Sequence, residues 1–370
     1  MKVFIEKSAL SFKLTQEILS KFFHAQLIEK YEDVSWDSNE NEDVITQGKK
    51  SLFVLYYKGS FVKACPGTKN YICCGYKIFH IGEGCPLDCS YCILQIYLNR
   101  PGLKVWGNLW EDGLSELESV LKESKKLKKV LRIGTGEFTD SLALEEITHI
   151  SERLIYFWKE INPLAILELK TKIALRETFF QKIPNDPRII FAWSVNTDRI
   201  IKKEEKGTAP FSFRLESAKR AVKYGFTVAF HFDPIILYNG AHIEYPQVLE
   251  MILQNIPHER IAWISFGTLR FPKSLKYIAQ KRFPTTQIFS EEFINGLDLK
   301  KRYFIEERKK IYRSFKEIIA ETKDKIAYYY CMESERIWEE VLGEKIFQSK
   351  DLAEKLDKVA LKLCSSSLSS

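Results

Sequence analysis

The chain has 370 residues, of which 45% are hydrophobic and 28% charged, and this composition excludes a disordered polypeptide. Its 56 Lys and Arg against 49 Asp and Glu give a net charge of +7, which favours a polyanion such as DNA or RNA as a partner. No stretch approaches the roughly 18 uninterrupted apolar residues of a membrane span, and the chain opens without an apolar signal region. We therefore expect a cytoplasmic protein with no membrane partner.

Eight cysteines in a chain without a signal peptide indicate metal or thiol chemistry before a disulfide framework. Cys65, Cys73 and Cys74 come first, shortly before a β-rich segment at residues 76–82. They are candidates for metal ligands or reactive thiols, and inert buried thiols are the alternative. Cys74, next to that segment, is our first choice among them, ahead of Cys331 in the C-terminal part.

The next three cysteines, Cys85, Cys89 and Cys92, have the spacing C-x3-C-x2-C and follow this β-rich segment. Three thiolates can ligate three irons of a [4Fe-4S] cube and leave the fourth iron open. A loop at the carboxyl end of a strand is also where α/β barrels place their active sites. The alternatives are a zinc site, which usually takes four ligands, and structural thiols.

The spacing resembles the signature of the radical S-adenosylmethionine (SAM) enzymes, which also favour an aromatic residue before the third cysteine, here Tyr91. The resemblance implies a [4Fe-4S] cluster and SAM as cofactors. It also implies reductive cleavage of SAM to a 5′-deoxyadenosyl radical.

Short β-like runs recur along the chain, separated by polar stretches compatible with helices. They lie at residues 77–81, 130–133, 165–169, 189–195, 227–232 and 261–266. This alternation predicts repeated βα units and hence an α/β fold with a partial (β/α)6 barrel. We expect an N-terminal extension at 1–74, the barrel at 75–270 and a C-terminal helical segment at 271–370 that closes one end.

The second predicted strand ends in Gly134, Thr135 and Gly136, followed by Glu137. Glycines at a strand end let the backbone approach a ligand closely. The position matches the SAM-binding motif of the radical SAM enzymes, which implies that the Glu137 carboxylate accepts hydrogen bonds from the ammonium group of SAM. A plain tight turn is the alternative for the glycines.

Further along the chain, we expect His231 to be a hydrogen-bonded histidine at a strand end, oriented by Asp233. Arg270 follows the sixth strand. It is expected to hold a phosphate or carboxylate, or to pair with a structural acid.

Together the residues from about 31 to 238 resemble the spore photoproduct lyase branch of the radical SAM enzymes, which splits a thymine dimer in DNA. The similarity includes the cysteine motif through Gln95 and the run from Ser194 to Asn196. It implies that Lys172 and Ser194 hold the SAM carboxylate, with Asn196 beside them. Thr139 falls where that branch has a serine near SAM.

Two positions depart from the branch. Ile93 stands where it has a tyrosine of a hydrogen-atom relay, and Glu137 where it has a hydrogen-donating cysteine. We therefore expect an active site containing Glu137 that needs another donor, with Cys74 in that role.

The expected function is a lyase-type radical SAM enzyme that repairs a DNA photoproduct, with DNA as substrate and a flavodoxin or ferredoxin as reductant. Radical modification of RNA, a peptide or a metabolite is the alternative favoured by the two departures. A noncatalytic iron-sulfur protein that binds nucleic acid or senses redox state is the third possibility.

Overall fold

The computed structural model describes residues 1–36, 42–68, 70–98, 100–322, 325–343 and 345–366. In chain order the strands are β1 (Lys2–Glu6), β2 (Gln26–Ile28), β3 (Ser51–Leu55), β4 (Val62–Ala64), β5 (Lys77–Phe79), β6 (Gly82–Glu83), β7 (Asp88–Cys89), β8 (Leu103–Trp106), β9 (Leu131–Gly134), β10 (Ala165–Thr171), β11 (Ile189–Ser194), β12 (Glu205–Lys206), β13 (Thr227–Ile235), β14 (Ile261–Thr268), β15 (Arg270–Phe271), β16 (Ile294–Asn295), β17 (Lys301–Arg302) and β18 (Ala327–Tyr330).

The α-helices are α1 (Lys13–Lys21), α2 (Val44–Lys49), α3 (Leu94–Tyr97), α4 (Asp112–Lys126), α5 (Glu145–Thr148), α6 (Ile150–Ile161), α7 (Glu177–Lys182), α8 (Asp198–Glu204), α9 (Phe211–Lys223), α10 (Ala241–Asn255), α11 (Lys273–Arg282), α12 (Ile305–Ala320), α13 (Glu335–Ile337) and α14 (Ser349–Ser366). Short 3-10 turns occur at Lys7–Ala9, Tyr31–Asp33, Gly107–Leu109 and His258–Arg260, and a π-helical turn at Trp338–Leu342. None of the helices in these described ranges has the length and apolarity that crossing a bilayer requires.

The largest sheet has the strand order β18-β14-β13-β11-β10-β9-β5-β4 and curls into a half-barrel. Every pairing from β5 to β18 is parallel, and only β4, at one edge, is antiparallel to its neighbour. Helices connect most of the successive parallel strands, as parallel pairing requires. The predicted partial barrel is confirmed.

The half-barrel contains one parallel strand more than the six that the sequence predicts. The seventh, β18, lies inside the segment expected to be helical, and its Tyr329 pairs with Ser265 of β14. A run of three tyrosines has a high strand propensity, and here it joins an open sheet edge. The C-terminal segment also contains β16 and β17, and β17 pairs with both β16 and β15 in a small antiparallel sheet.

A second sheet, ordered β2-β1-β3-β8-β6, occupies the N-terminal side. Two of its strands, β6 and β8, come from the range assigned in sequence to the barrel, so the expected boundary near residue 74 is crossed by this sheet. Because β6 is paired with β8, the loop that follows β6 begins from a fixed position. That loop contains the C-x3-C-x2-C motif.

Alternate residues of the barrel strands face its interior, here called the lumen. On β10 the outward Leu167 and Leu169 are fully buried beneath helices, whereas Glu168 and Lys170 line the cavity inside. The C-terminal helix α14 contacts β9, β10 and β18, and its Leu356 lines the same cavity. The last helix of the C-terminal segment therefore packs against the half-barrel and borders its lumen.

Candidate active site

The cysteine loop, residues 84–95, enters the site through a glycine that no other residue can replace without strain. Gly84 has φ of +86°, and a Cβ at this position would lie 2.4 Å from the carbonyl oxygen of Gly102. Cys89 lies in β7, which pairs with Glu205 of β12, and Cys92 lies just before α3. The three cysteines thus occupy a short, sharply turned segment beyond the first parallel strand.

Hydrogen bonds from Arg282 of α11 and from Gln95 at the end of the loop fix its conformation. The Arg282 guanidinium donates to both Asp88 oxygens, at 3.0 and 3.1 Å, and to Gln95 Oε1 at 2.5 Å. Gln95 Nε2 in turn donates to the backbone carbonyls of Ser90 and Cys92. Because these bonds tie both halves of the loop together, the cysteine backbone is positioned before any ligand arrives.

The three thiols suit a cluster better than a single metal ion. In the part of the chain that the structure describes, the only three-residue group of His, Cys, Asp and Glu with ligand atoms within 4.8 Å of one another is Glu145, His149 and Glu152. Burial raises the pKa of Cys85 to about 12 and that of Cys89 well above its usual range. Binding of a metal centre is the ordinary way in which such enclosed thiols become thiolates.

The sulfur atoms of Cys85, Cys89 and Cys92 are therefore not all within 4.8 Å of one another, which suits ligands of different irons of one cube. Cys92 also lines the large cavity of the half-barrel, as does the neighbouring Ile93. The donor set fits a [4Fe-4S] cluster that opens toward the lumen.

Next to the cysteine loop, the buried carboxylate of Glu205 accepts hydrogen bonds from four polar residues. Glu205 accepts hydrogen bonds from Tyr91, from Lys172 Nζ at 3.2 Å and from Asn196 Nδ2 at 2.9 Å. Its second oxygen accepts from Arg214 Nη2 at 2.6 Å. Although burial opposes it, the charges of Lys172 and Arg214 hold the pKa of Glu205 well below its usual range.

The sequence predicted that Tyr91, Lys172 and Asn196 lie near SAM. It did not identify Glu205, the residue to which all three are hydrogen-bonded. Glu205 is preceded by Glu204 and followed by Lys206, and nothing in this charged stretch distinguishes one buried carboxylate. Arg214, fully buried on α9, also donates to the Ser194 carbonyl at 2.7 Å. It fixes the backbone of the predicted SAM-binding serine, whose side chain reaches the cavity.

The Gly134–Glu137 segment lies at the carboxyl end of β9. A Cβ on Gly134 would lie 1.4 Å from the Tyr76 hydroxyl, and one on Gly136 would lie 2.7 Å from the Lys170 Cβ. Both positions thus require glycine because of their neighbours. Glu137 lines the cavity and accepts from Lys170 Nζ at 2.7 Å.

Thr139 does not line the large cavity, and neither do the other predicted SAM-binding residues Gly134, Gly136, Lys172 and Asn196. Thr139 is buried beside Asp140 on the far side of the segment, where its hydroxyl approaches the Asp140 carbonyl at 3.4 Å. The Asp140 carboxylate accepts from the backbone N–H groups of Leu142, Ala143 and Lys172. This aspartate therefore stabilises the turn and links it to the end of β10.

One cavity of about 480 Å³ occupies the lumen and its mouth. The other four cysteines of interest, Cys65, Cys73, Cys74 and Cys331, line it together with Cys92. All eight cysteines of the chain are free thiols. Cys65, Cys73 and Cys74, which precede the cysteine motif closely in sequence, thus share a cavity wall with its third cysteine, Cys92.

The thiols within this wall contact one another. Cys73 lies close enough to Cys65 and Cys74 for the three thiols to influence one another's pKa. The hydrogen bond from Cys73 and burial raise the pKa of Cys74 well above its usual range. Cys74 is consequently a protonated thiol at neutral pH.

The geometry corrects one expectation about the fifth strand and decides between the two roles expected for Arg270. Asp233 does not orient His231; it forms a bidentate pair with Arg270, with both contacts at 2.9 Å. His231 instead bonds Glu168 Oε1 through Nε2 at 2.9 Å and Ser265 Oγ through Nδ1 at 2.6 Å. Of the two roles expected for Arg270, pairing with a structural acid is the one found.

Three cysteines spaced C-x3-C-x2-C beyond the first parallel strand of a half-barrel, with the third facing the lumen, define the class of radical SAM enzymes. Comparison with known families makes the assignment narrower. The family model "Spore photoproduct lyase" matches residues 1–330, and the chain belongs to that family. It is thus a radical SAM enzyme of the lyase type, a class that uses a [4Fe-4S] cluster together with SAM.

Curated relatives and solved structures agree with this assignment. The spore photoproduct lyase of Bacillus subtilis (strain 168) is 26% identical over 300 residues, which cover 78% of this chain and 84% of the relative. The one of Clostridium acetobutylicum is 25% identical over 294 residues, 78% of this chain and 83% of the relative.

A solved spore photoproduct lyase complexed with dinucleoside spore photoproduct has 21% identity and a TM-score of 0.75, covering 89% of this chain and 98% of that one. A variant of that enzyme with bound AdoMet and the dinucleoside has 22% identity, a TM-score of 0.76 and the same coverage. At these identities the structures establish the shared fold.

Proposed function

We propose that this chain binds a [4Fe-4S] cluster through Cys85, Cys89 and Cys92 and uses SAM to split a thymine photoproduct in DNA. When bound, the cluster and SAM supply the radical that abstracts hydrogen from the substrate. The observation that carries the proposal is the opening of Cys92 into the same cavity as Cys74 and Glu137, in a chain of this family. The net charge of +7 suits a nucleic acid substrate.

SAM would lie at the carboxyl ends of the strands, near Tyr91, Gly134, Gly136 and Glu137. Lys172, Ser194 and Asn196 are proposed to receive its carboxylate. Lys172 Nζ donates hydrogen bonds to the Tyr91 hydroxyl at 3.1 Å and to Glu205 Oε1 at 3.2 Å. An ammonium has three hydrogens, so one remains for a ligand carboxylate.

Cys74 is proposed as the hydrogen donor. Splitting a thymine dimer leaves a carbon radical that must take a hydrogen atom, and a thiol can give one only while it is protonated. The raised pKa of Cys74 satisfies this condition. Glu137 and its partner Lys170 occupy the place of the missing thiol and have no transferable S–H group.

The remaining parts of the proposal concern the surroundings of the reaction. Eight free thiols suit the reducing cytoplasm, where a flavodoxin or a ferredoxin would supply the electron to the cluster. Cys65 and Cys73 are proposed as neighbours of the donor thiol and not as ligands of a second cluster.

Anaerobic reconstitution with iron and sulfide, followed by incubation with SAM and dithionite, tests the proposal. We expect one cluster per chain, release of 5′-deoxyadenosine, and recovery of thymine from ultraviolet-irradiated DNA. Release of 5′-deoxyadenosine without repair would transfer the reaction to RNA, a peptide or a metabolite. Failure to release it at all from a cluster-loaded protein would leave a noncatalytic iron-sulfur protein.

A further inference from the structure

The lumen contains a hydroxyl group that has nothing to bond. Tyr76 is only 6% exposed, lines the cavity, and its hydroxyl is buried without a hydrogen-bond partner in the described ranges. Its ring lies beneath Lys170, whose Nζ is 5.8 Å from the ring centroid. A buried hydroxyl without a partner destabilises the free protein, so its retention calls for a compensating role.

A half-satisfied carboxylate lies at the same depth. The Tyr76 hydroxyl rests against Gly134, and Gly134 is the register neighbour of Glu168. Glu168 Oε1 accepts from His231 Nε2 and Trp263 Nε1, both at 2.9 Å, whereas no hydrogen bond from a described residue reaches Oε2. The lumen thus presents an unpartnered donor against Gly134 and an accepting oxygen on the residue that pairs with Gly134.

These two groups lie deeper than the residues proposed for the SAM carboxylate and level with Gly134. Glu168 precedes Lys172 by four residues, about 13 Å along an extended strand, and it pairs with Ile190, four residues before Ser194. Tyr76, Glu168 and Ser194 line one cavity, which Leu356 of α14 also borders. A ligand that reaches Tyr76 and Glu168 therefore lies deeper in the lumen than Ser194, beside Gly134.

We propose that Tyr76 and Glu168 form a subsite for a pyrimidine base of the substrate, bound by its imide edge. The Tyr76 hydroxyl would donate to a ring carbonyl, and Glu168 Oε2 would accept the adjacent ring N–H. His231 and Trp263 hold the carboxylate ionised and correctly turned, while Ser265 fixes the other nitrogen of His231. The carboxylate excludes a phosphate here. This assignment rests on the proposed function and adds the group of the substrate that is recognised.

Tyr76→Phe tests the subsite because it removes only the unpartnered hydroxyl. In the cluster-loaded protein with SAM, we expect the affinity for dinucleoside spore photoproduct, measured anaerobically by calorimetry, to fall about five- to tenfold. The affinity for SAM should not change. In the absence of ligand, the melting temperature of Tyr76→Phe should rise above that of the parent.

Tyr224→Phe is the matched control, since its hydroxyl has a partner in Glu177 at 3.0 Å. It should not raise the melting temperature, and it should leave binding of the dinucleoside unchanged. A purely structural Tyr76 would behave in the opposite way: Tyr76→Phe would melt lower and bind the dinucleoside as tightly as the parent.

Glu168→Gln provides a second readout that does not depend on Tyr76. The parent should bind a photoproduct methylated at the ring nitrogens several-fold more weakly than the unmethylated one, and Glu168→Gln should lose this discrimination. A parent that binds and repairs the dinucleoside, with both variants binding it equally well, would overturn the subsite alone. Loss of SAM affinity in Tyr76→Phe would assign the hydroxyl to the cofactor and also overturn it. A parent that cleaves SAM but does not bind the dinucleoside would overturn the proposed substrate and the subsite together.

Discussion

The cysteine loop and the Tyr76–Glu168 pair, here called the floor of the lumen, border one cavity and differ in how their polar groups are satisfied. Around the loop, Arg282 and Gln95 tie the backbone together, and Glu205 satisfies the side chains beside it. At the floor, the Tyr76 hydroxyl and one oxygen of Glu168 have no partner among the described residues.

The difference indicates two kinds of role. Residues with satisfied polar groups position a reactive cofactor, whereas residues with unsatisfied groups are available to bind a ligand. A rigid surround keeps a metal centre in a productive geometry, whereas unsatisfied groups in a cavity gain their bonds only on binding. Substitutions in each of the two regions test this difference.

The largest effect is expected from Cys89→Ala. With one of three thiolates removed, the cluster should not assemble, and its absorbance and the release of 5′-deoxyadenosine should disappear together. Cys364→Ala, which removes a buried thiol in the last helix, is the control and should retain both. A Cys89→Ala protein that keeps its absorbance and its SAM cleavage would transfer the cluster to other ligands.

Glu205→Ala should be the most destabilising change near the loop. It leaves Lys172 and Arg214 without their shared counter-charge, one of them fully enclosed, and such a loss costs about 3–5 kcal/mol of the free energy of unfolding. The measurement is urea unfolding of the ligand-free protein. Glu177→Ala, which breaks an exposed pair with Lys223, should cost about 1 kcal/mol or less. Equal losses for the two variants would show that Glu205 does not brace the site.

Lys172→Ala addresses SAM binding, and its effect should be smaller. Losing one charged hydrogen bond to the carboxylate should weaken SAM by about 1.5–3 kcal/mol, ten- to a hundredfold in affinity. Glu205 keeps Arg214 and Asn196 as partners, so the fold should survive. Unchanged SAM affinity in this variant would place the carboxylate elsewhere.

The smallest effect is a change in the pH dependence of stability. Although burial alone would raise it, the charge and hydrogen bond of His231 lower the pKa of Glu168 to about 2 from its ordinary 4.5. A carboxyl with a depressed pKa stabilises the folded protein above pH 4.5, and this contribution is lost as the pH falls toward 2. The free energy of unfolding should therefore fall less steeply across this window in Glu168→Gln than in the parent. Identical slopes would mean that the carboxylate is not held ionised in the lumen.

Much of this architecture can be predicted from the sequence, because strands and glycine turns depend mainly on residues close together in the chain. The predicted run at 189–195 becomes Ile189–Ser194, and the cysteine spacing identifies the class of enzyme. Glu205 escaped prediction because its partners Tyr91, Lys172 and Asn196 come from three distant segments. Strand β18 escaped it because its edge is supplied by β14, which only the folded sheet reveals. Tyr76 escaped it because an unsatisfied hydroxyl is a property of packing.

The central claim is that this chain repairs a thymine photoproduct with a thiol that lies outside position 137. Its most direct test is turnover of dinucleoside spore photoproduct in D2O by the parent and by Cys74→Ala, scoring thymine recovered per 5′-deoxyadenosine and deuterium in that thymine. The account predicts that the parent recovers thymine carrying one solvent-derived deuterium, whereas Cys74→Ala releases 5′-deoxyadenosine with little thymine. Equal recovery and equal deuterium content in the two proteins would contradict it.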